Sequence, residues 1–326
     1  MQKKRVAGAI VGILIVGVYV AHQLSPWPYV LLTRAVFAMG AARASATVEP
    51  YLPPDISIER GLHYGSEQDA VLDVFRPAQA QGPLPAVVWV HGGGFVAGSR
   101  ADLYNYLQVL AAQGFVAIAI DYTLAPRARF PTPVRQTNEA LVYLRENAHR
   151  FQIDPTRIFL AGDSAGAQIA AQSALVISDP EYAARIGVEP GIPREVLRGI
   201  VLFCGPFHSI GRKFAWPYMI FARTVVWSYI GTRDRQDPSV KQLSVTQHVG
   251  ASFPPAFISV GNKDRLAPQS FELASALSSK GAAVETFFFP DDHEPPLGHE
   301  YQLFLSKPEA REALDRYVAF LIEHSK

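Results

Sequence analysis

Short apolar runs alternate with segments of helical periodicity from about residue 55 to the C-terminus. The runs are rich in β-branched and aromatic residues, and this alternation is typical of an α/β protein. Their near-continuous apolar character indicates a mostly parallel sheet of about eight strands with helices on both faces, in which the first two strands pair antiparallel. The predicted strands are 56–64, 71–75, 86–91, 115–121, 157–162, 199–204, 256–261 and 284–289. The predicted helices are 103–113, 137–150, 165–178, 268–279 and 308–323.

The alternation is interrupted between the predicted strands that end near Cys204 and begin near Ala256. The interval of about 50 residues is too long for a plain connection and is rich in Phe, Trp, Tyr and Pro, so we expect an inserted cap at about 205–252. Its most aromatic stretch, 214–221, has the composition of an acyl-binding, gating or bilayer-contacting segment, and equally that of cap core.

The N-terminus has the pattern of a targeting segment. Lys3, Lys4 and Arg5 precede an uncharged, mostly apolar run over 6–21, whose length lies between that of a signal peptide and that of a transmembrane helix. Because no convincing cleavage site follows, we interpret residues 1–24 as an uncleaved membrane anchor whose basic flank places the rest of the chain outside the cytoplasm. A cleaved export signal and a buried or surface helix are the alternatives. Residues 25–55 are then expected to form an interfacial helix or part of a lid, and residues 56–326 the main domain.

The composition narrows the class of function. Hydrophobic residues make up 49% of the 326 residues and charged residues 18%, against about 25% charged in an average soluble chain, which excludes intrinsic disorder. Lys and Arg number 30 and Asp and Glu 29, so the basic surface expected of a nucleic-acid-binding protein is missing. The single Cys excludes a disulfide framework. The sequence contains no metal-ligand spacing, phosphate loop or flavin fingerprint, and we expect no cofactor.

The sequence Gly-Asp-Ser-Ala-Gly at 162–166 lies where a predicted strand meets a predicted helix. Glycines two residues on either side of Ser164 remove Cβ atoms that would clash in a sharp strand–turn–helix elbow, and such an elbow exposes the hydroxyl above the sheet. This placement predicts that Ser164 is a nucleophile. A helix-capping Ser in a Gly-rich turn is the alternative.

The sequence His-Gly-Gly-Gly-Phe at 91–95 directly follows another predicted strand. Acyl transfer requires N–H donors at the point where the carbonyl oxygen becomes negative, and successive glycines let the backbone approach that atom closely. Gly93 and Gly94 are predicted to supply two donors of an oxyanion hole, and Ala165, the residue after Ser164, a third. A flexible loop or a phosphate cradle is the alternative, although no Gly-Lys-Ser/Thr or Gly-x-Gly-x-x-Gly context accompanies it.

These two motifs resemble those of the hormone-sensitive-lipase-like branch of the α/β-hydrolase fold, a family of bacterial carboxylesterases. The resemblance covers about residues 60–326 and extends to Asp-Tyr-Thr-Leu-Ala-Pro at 121–126, Phe-Pro at 130–131 and Ile-Asp-Pro at 153–155. It implies an α/β-hydrolase fold and a serine hydrolase that acts on carboxylic esters. Thr123 and Ala167 depart from the family's pattern, and the expected anchor replaces part of its N-terminal lid, which leaves lid geometry and substrate open.

In this fold the serine is followed along the chain by an acid and then by a histidine. Asp264 directly follows a predicted strand, at the sheet edge where the Ser164 elbow opens, and is the predicted acid; a helix-capping role is the alternative. The loop after the last strand offers two candidates for the base, His299 and His293. His299 heads His-Glu-Tyr-Gln-Leu-Phe and resembles the family's His-x-Phe-like position, so it is the predicted base. His293 follows two Asp residues and has the context of a solvated turn.

The sequence therefore predicts hydrolysis of a small carboxylic ester through an acyl-enzyme formed on Ser164, with His299 as base and Asp264 as orienting acid. An amidase or a deacetylase that uses the same residues is the nearest alternative. A binding protein without catalysis on the same fold is the alternative from another class. The expected partners are the ester substrate and, through the N-terminal segment, a membrane. Cys204 is expected to be an inert buried thiol.

Overall fold

The computed structural model describes residues 17–208, 218–234 and 237–326. Its centre is a sheet of eight strands in the order β1-β2-β4-β3-β5-β6-β7-β8. β1 and β2 pair antiparallel, β2 pairs antiparallel with β4, and the pairs from β4 through β8 are parallel. The predicted sheet and its α/β-hydrolase class are thereby confirmed. The strands are β1 Ile56–His63, β2 Val71–Pro77, β3 Leu84–Val90, β4 Val116–Ile120, β5 Ile153–Asp163, β6 Leu197–Phe203, β7 Ala256–Val260 and β8 Val284–Phe288.

The central strands are apolar at successive positions because both faces of the sheet are covered. In β3, Val88 and Val90 belong to a core cluster on one face, whereas Val87 and Trp89 belong to the cluster on the other face. All four side chains have no exposed surface. Alternate residues of a strand point to opposite faces, so a strand buried on both sides needs an apolar residue at every position. This requirement explains why the strands could be recognised as runs.

Helices follow the parallel strands and cover both faces. The helices are α1 Trp27–Val48, α2 Tyr104–Ala111, α3 Thr132–Glu146, α4 Ala148–Phe151, α5 Ser164–Ser178, α6 Pro180–Ile186, α7 Tyr218–Ile230, α8 Pro238–Gln242, α9 Val245–His248, α10 Ala267–Ser279 and α11 Pro308–His324. Short 3-10 helices occupy Glu49–Tyr51, Arg100–Leu103, Arg194–Val196 and Tyr301–Leu303. The predicted helix 137–150 is in fact two, α3 and α4, and α3 starts at Thr132 with Pro133 in its first turn, where the missing N–H is not needed.

The N-terminal part of the chain packs on the domain through α1. Phe37 stacks on Phe221 of α7 with ring centroids 5.9 Å apart, and the Arg34 Nε donates to the Val96 carbonyl at 2.8 Å. Residues 17–24 are also helical, whereas residues 1–16 of the predicted anchor lie outside the described residues. In residues 17–208, 218–234 and 237–326, no helix has both the length and the apolar character needed to cross a bilayer.

The segment for which a cap is predicted contains α7, α8 and α9. Its aromatic stretch 214–221 is described only from Tyr218 onward, so Trp216 lies outside the described residues. Of that stretch, Phe221 reaches the carboxyl edge of the sheet, where its ring comes close to Gly94. The inserted segment therefore lies beside the glycine loop at the carboxyl edge of the sheet.

Candidate active site

Ser164 stands in a sharp turn between β5 and α5. Its φ is +51°, a left-handed conformation that non-glycine residues rarely adopt. The flanking glycines are required by close backbone approach: a Cβ on Gly162 would lie 2.6 Å from the carbonyl carbon of Gly166, and a Cβ on Gly166 would lie 2.0 Å from the carbonyl oxygen of Val90. The turn thus has the geometry of the predicted nucleophile elbow.

His299 connects Ser164 to Asp264. Its Nε2 lies 2.8 Å from the Ser164 Oγ, and its Nδ1 lies 2.7 Å from the Asp264 Oδ2. The Ser164 and His299 positions are 135 residues apart in the chain, and the carboxyl ends of the parallel strands bring them together. This is the arrangement of a nucleophile, a base and an orienting acid.

Asp264 faces His299 and does not cap α10, whose N-cap is Leu266 without a side-chain cap. One carboxylate oxygen, Oδ1, accepts from the backbone N–H of Leu266 at 2.8 Å, just before α10 begins. The other oxygen, Oδ2, faces His299. The turn therefore fixes the carboxylate, whose side chain is only 2% exposed, in the orientation that the imidazole requires.

The second candidate base, His293, lies away from Ser164. Its Nε2 is 3.2 Å from the Glu309 Oε1 of α11, and its ring packs on Phe289 with centroids 4.4 Å apart. It belongs to a partly buried turn rather than to a fully solvated one. Of the two histidines in this loop, the structure brings His299 to the serine.

The surroundings raise the pKa of His299. Burial lowers the pKa, and the hydrogen bond and charge of the Asp264 carboxylate act in the opposite direction; the pKa lies above the ordinary value. Burial raises the pKa of the Cys204 thiol to about 11, which keeps this thiol protonated at neutral pH. Cys204 is fully buried, as predicted.

The glycine loop after β3 supplies free backbone donors beside the serine. Within the described part of the chain, the N–H groups of Gly93 and Gly94 donate to no other group. Gly94 and Ala165 line the same cavity as Ser164, and the Ala165 N–H belongs to the first turn of α5, where N–H groups have no intrahelical acceptor. Gly93 and Gly94 have φ values of +114° and +61°, which favour glycine.

His91 supports the glycine loop from behind. It is 2% exposed, and its Nδ1 lies 2.7 Å from the Gly92 carbonyl oxygen. Its ring stacks on Tyr122 with centroids 4.4 Å apart and an interplanar angle of 13°, while the Tyr122 hydroxyl donates to the His91 carbonyl. The Asp-Tyr segment that follows β4 is therefore a structural brace for this loop.

A pair of carboxylates, Asp163 and Glu300, which the sequence reasoning missed, lies beside Gly92 of the loop. Trp89 Nε1 and the Gly92 N–H each donate to Asp163 at 2.8 Å. The Asp163 Oδ2 and the Glu300 Oε1 lie 2.3 and 2.9 Å from one point, the position that a Cβ on Gly92 would occupy. Burial and the negative charge of Glu300 raise the pKa of Asp163 to about 7. Glu300 also lies 3.6 Å from the His299 Nε2. The only sequence signal was an acidic residue directly after His299.

A cavity of about 460 Å³ opens over Ser164. Its walls come from α1, the glycine loop, α7 and the start of α10, and they are mainly apolar. The lining includes Phe37, Phe95, Phe221, Val225 and Leu266, with Lys263, Arg265 and Gln269 as polar members. A volume in this range accommodates a small organic molecule.

Among the described residues, Cys204, Asp264 and His299 form the one group that combines three metal-ligating side chains, with ligand atoms within 4.8 Å of one another. The Asp264 oxygen and both His299 nitrogens already face one another or Ser164 at hydrogen-bond distance. We therefore assign this group to the Ser164 site and not to a metal.

The fold and the site agree with the chain's similarity to known proteins. A family model described as the alpha/beta hydrolase fold matches residues 87–293. Carboxylesterase NlhH of Mycobacterium tuberculosis is 30% identical over 283 residues, which are 83% of this chain and 84% of that protein. Esterase LipC of the same organism is 31% identical over 248 residues, 75% of this chain, and the chain spans 60% of LipC's length. The chain therefore belongs to the α/β-hydrolase family, as its motifs predicted.

Solved structures show the same fold at lower sequence identity. Esterase B of Lactobacillus rhamnosis has a TM-score of 0.79 at 23% identity, with 90% of this chain and 94% of that chain covered. A bacterial heroin esterase has a TM-score of 0.73 at 23% identity, with 90% and 92% covered. These similarities agree with the α/β-hydrolase fold that the sequence predicted.

Proposed function

We propose that the protein is a serine hydrolase that cleaves carboxylic esters. The observation that carries this proposal is the continuous relay from the Ser164 Oγ through His299 to Asp264, with distances of 2.8 and 2.7 Å. The esterase and carboxylesterase names of the relatives, and the inhibited esterase B structures, support it.

In the first half of the reaction, Ser164 attacks the ester carbonyl while His299 takes the hydroxyl proton at Nε2. Asp264 accepts a hydrogen bond from Nδ1–H of His299, which fixes the tautomer whose Nε2 carries no proton and faces Ser164. The Asp264 carboxylate also stabilises the imidazolium after the proton transfer. His299 then delivers the proton to the leaving alcohol, and the acyl group stays on the Ser164 oxygen.

The N–H groups of Gly93, Gly94 and Ala165 donate hydrogen bonds to the negatively charged oxygen of the tetrahedral intermediate. These donors are held before the reaction starts, so no reorganisation is needed as charge develops; loss of one such donor costs roughly 10²–10³ in kcat in other enzymes. In the second half, His299 activates a water molecule, which attacks the acyl carbonyl and releases the acid.

The cavity favours esters with a short to medium acyl chain. Its apolar lining contributes to binding by removing hydrocarbon from water, and Phe221 of α7 limits the space close to the glycine loop, since its Cζ lies 2.8 Å from the position of a Cβ on Gly94. An amidase or deacetylase would use the same relay, and the substrate panel described next distinguishes them.

The experiment is a paired labelling and turnover assay. The full chain is treated with a fluorophosphonate probe and, separately, with p-nitrophenyl esters of graded chain length beside the corresponding anilides. We expect covalent labelling that Ser164→Ala abolishes, and turnover of esters well above that of anilides. Labelling without ester turnover would contradict an esterase, and absence of labelling would contradict a serine hydrolase.

The N-terminal sequence supports attachment of this enzyme to a membrane. Lys3, Lys4 and Arg5 followed by the apolar run 6–21 suit an anchor whose basic end stays in the cytoplasm, which places the hydrolase domain outside it. Export after cleavage is the alternative, and fractionation of the full chain tests between them.

A further inference from the structure

The exposed large apolar side chains of the described chain are concentrated in one stretch. In residues 17–208, 218–234 and 237–326, those with 37% or more of their surface exposed include Val18, Tyr19, Val20, Leu24, Trp27, Leu31, Leu32, Val36 and Met39. The remainder are Tyr51, Leu52, Val142, Phe271 and Ile322. Single exposed apolar residues are ordinary, whereas a contiguous set marks an interaction surface.

Helix α1 is apolar on both sides. Its inner side carries Val30, which is fully buried, and Phe37, which packs on Phe221 and lines the cavity. Its outer side carries the outer apolar face, defined as Leu31, Leu32, Val36 and Met39, whose side chains are 51–59% exposed. A helix that is hydrophobic all round is normally covered on all sides, and the domain covers only the inner side of α1.

The charge of α1 is compatible with a lipid surface on its outer side. The helix contains no acidic residue, and its exposed Arg43 lies about one turn beyond Met39. An apolar face without acidic residues and with a neighbouring Arg suits the boundary between acyl chains and phospholipid headgroups.

The position of α1 in the chain also indicates a lipid bilayer as the partner of this face. The helix begins at Trp27, six residues after the apolar run 6–21 ends. A helix tied this closely to a membrane segment stays at the membrane surface. The contacts of α1 with the domain then decide which side it turns to the lipid, and that side is the outer apolar face.

We propose that the outer apolar face of α1 lies on a phospholipid bilayer, at the level of the headgroup–acyl boundary. The opposite side of the same helix forms the wall of the catalytic cavity through Phe37. Building on the proposed anchored esterase, this placement holds the cavity at the membrane surface, and it assigns the substrate class as esters that partition into the bilayer.

The test compares two exposed positions in the full chain, Val36 and Ile322, whose side chains are 51% and 50% exposed. Ile322 lies on α11 near the opposite end of the sheet, because Arg198, at the start of β6, donates to the His324 carbonyl. Val36→Cys and Ile322→Cys are labelled with an environment-sensitive fluorophore; the buried Cys204 is checked for labelling in the wild type. Both proteins are reconstituted into phosphatidylcholine–phosphatidylglycerol vesicles that carry a lipid-borne quencher.

We expect quenching at position 36 to exceed that at position 322 at least threefold. Equal quenching at the two positions overturns the proposal. Protection of position 36 that depends on protein concentration, without quenching by lipid, also overturns it, because a second copy of the chain then covers this face. This readout does not depend on catalysis, so loss of the proposed esterase activity would leave it unchanged.

A second variant tests the substrate class. In Leu32→Gln/Val36→Gln/Met39→Gln, none of the three altered residues lines the cavity. We expect turnover of p-nitrophenyl acetate within twofold of wild type, and turnover of a short-acyl ester of a long-chain alcohol, dissolved in vesicles, at least fivefold lower. Equal turnover of the vesicle ester by both proteins would overturn the assignment of substrate class.

Discussion

Four residues at the proposed catalytic site, Phe95, Ser164, Cys204 and Glu300, have backbone conformations that non-glycine residues rarely adopt. The φ values of Ser164 and Glu300 are +51° and +57°. Left-handed conformations of non-glycine residues cost on the order of 1 kcal/mol and persist where the surroundings hold them. At Ser164 the elbow explains the conformation. At Glu300 the left-handed conformation places the carboxylate 3.6 Å from Nε2 of His299, the nitrogen that faces Ser164.

Replacement of Ser164 by Ala should leave the fold intact and remove the activity. The side chain is small and makes one hydrogen bond, to His299, whereas loss of a triad nucleophile lowers kcat by about 10⁶-fold. Ester turnover is measured together with the thermal unfolding midpoint, which should stay close to that of the wild type. Turnover within tenfold of wild type would refute the serine mechanism.

The two histidines of the last loop should respond differently to removal. His299→Ala removes the base and should lower kcat by several orders of magnitude with little change in KM. His293→Ala removes a contact to Glu309 at some distance from Ser164 and should keep at least about a tenth of the activity. Steady-state kinetics of both variants test this prediction. Loss of activity in His293→Ala with retention in His299→Ala would identify His293 as the base.

The activity should fall in acid with a midpoint above 6.5, the ordinary pKa of His. The base must be neutral to accept a proton. Because the pKa of His299 is raised, His299 becomes protonated, and activity is lost, at a higher pH than with an ordinary histidine. Glu300→Gln removes a negative charge beside Nε2 and should move the midpoint of kcat/KM to lower pH. Glu312→Gln, on the exposed side of α11, is the control. An unshifted midpoint in Glu300→Gln would show that this carboxylate does not act on His299.

The residues of the proposed relay were predictable because each lies in a local pattern. Ser164 has its glycines, Asp264 follows a strand, and the order along the chain limits the base to the last loop. The carboxylate pair was not predictable. Asp163 and Glu300 are far apart in sequence, and their proximity depends on how β5 and the last loop pack around Gly92.

Among the larger elements, the strands were the most predictable and the helices around the cavity the least. A strand buried on both faces is marked by its run of apolar residues. Helix α1 extends from Trp27 to Val48, whereas the sequence predicted an interfacial helix or part of a lid within residues 25–55 and no bounds for a helix. Its apolar residues surround the axis and do not form one stripe, so helical periodicity could not define its extent. The same holds for α7, where aromatic density indicated a cap but not a helix.

The contact between α1 and α7 should set the acyl-chain preference. Phe37 and Phe221 stack and both line the cavity, so Phe221→Ala opens the space next to Gly94. We expect the optimum of a p-nitrophenyl ester series to move to longer chains, with about a tenfold gain in kcat/KM for the longer esters relative to the short ones, since each buried methylene contributes roughly 1 kcal/mol. Val142→Ala on the exposed side of α3 is the control. An unchanged chain-length profile in folded Phe221→Ala would contradict this role.

The molecule as a whole joins a hydrolase domain to an N-terminal segment through the apolar packing of α1 and a few polar contacts. Arg233 donates to the carbonyls of His22 and Gln23 at 3.1 and 2.5 Å, and Asn105 donates to the Ser45 side chain at 2.9 Å. The first contact holds the end of the helical stretch 17–24 and the second holds α1. Removal of residues 1–24 therefore eliminates the Arg233 hydrogen bonds and the ring contact of His22 with Trp227, and leaves α1 attached to the domain.

This arrangement allows the proposed anchor to be tested without dismantling the enzyme. The full chain should sediment with membranes and resist extraction by alkaline carbonate, whereas a chain lacking residues 1–24 should be released by the same carbonate treatment and hydrolyse a water-soluble ester within about threefold of the wild-type rate. Leu14→Arg in the full chain is the sharper variant. It retains every described contact of α1, yet a charge at the centre of the apolar run costs about 2.5–3.5 kcal/mol on insertion. We expect carbonate to extract this variant more readily than the wild type. Recovery of the unmodified full chain in the cytoplasmic fraction would show that residues 1–24 are not an anchor, while the relay at Ser164 would stand unaffected.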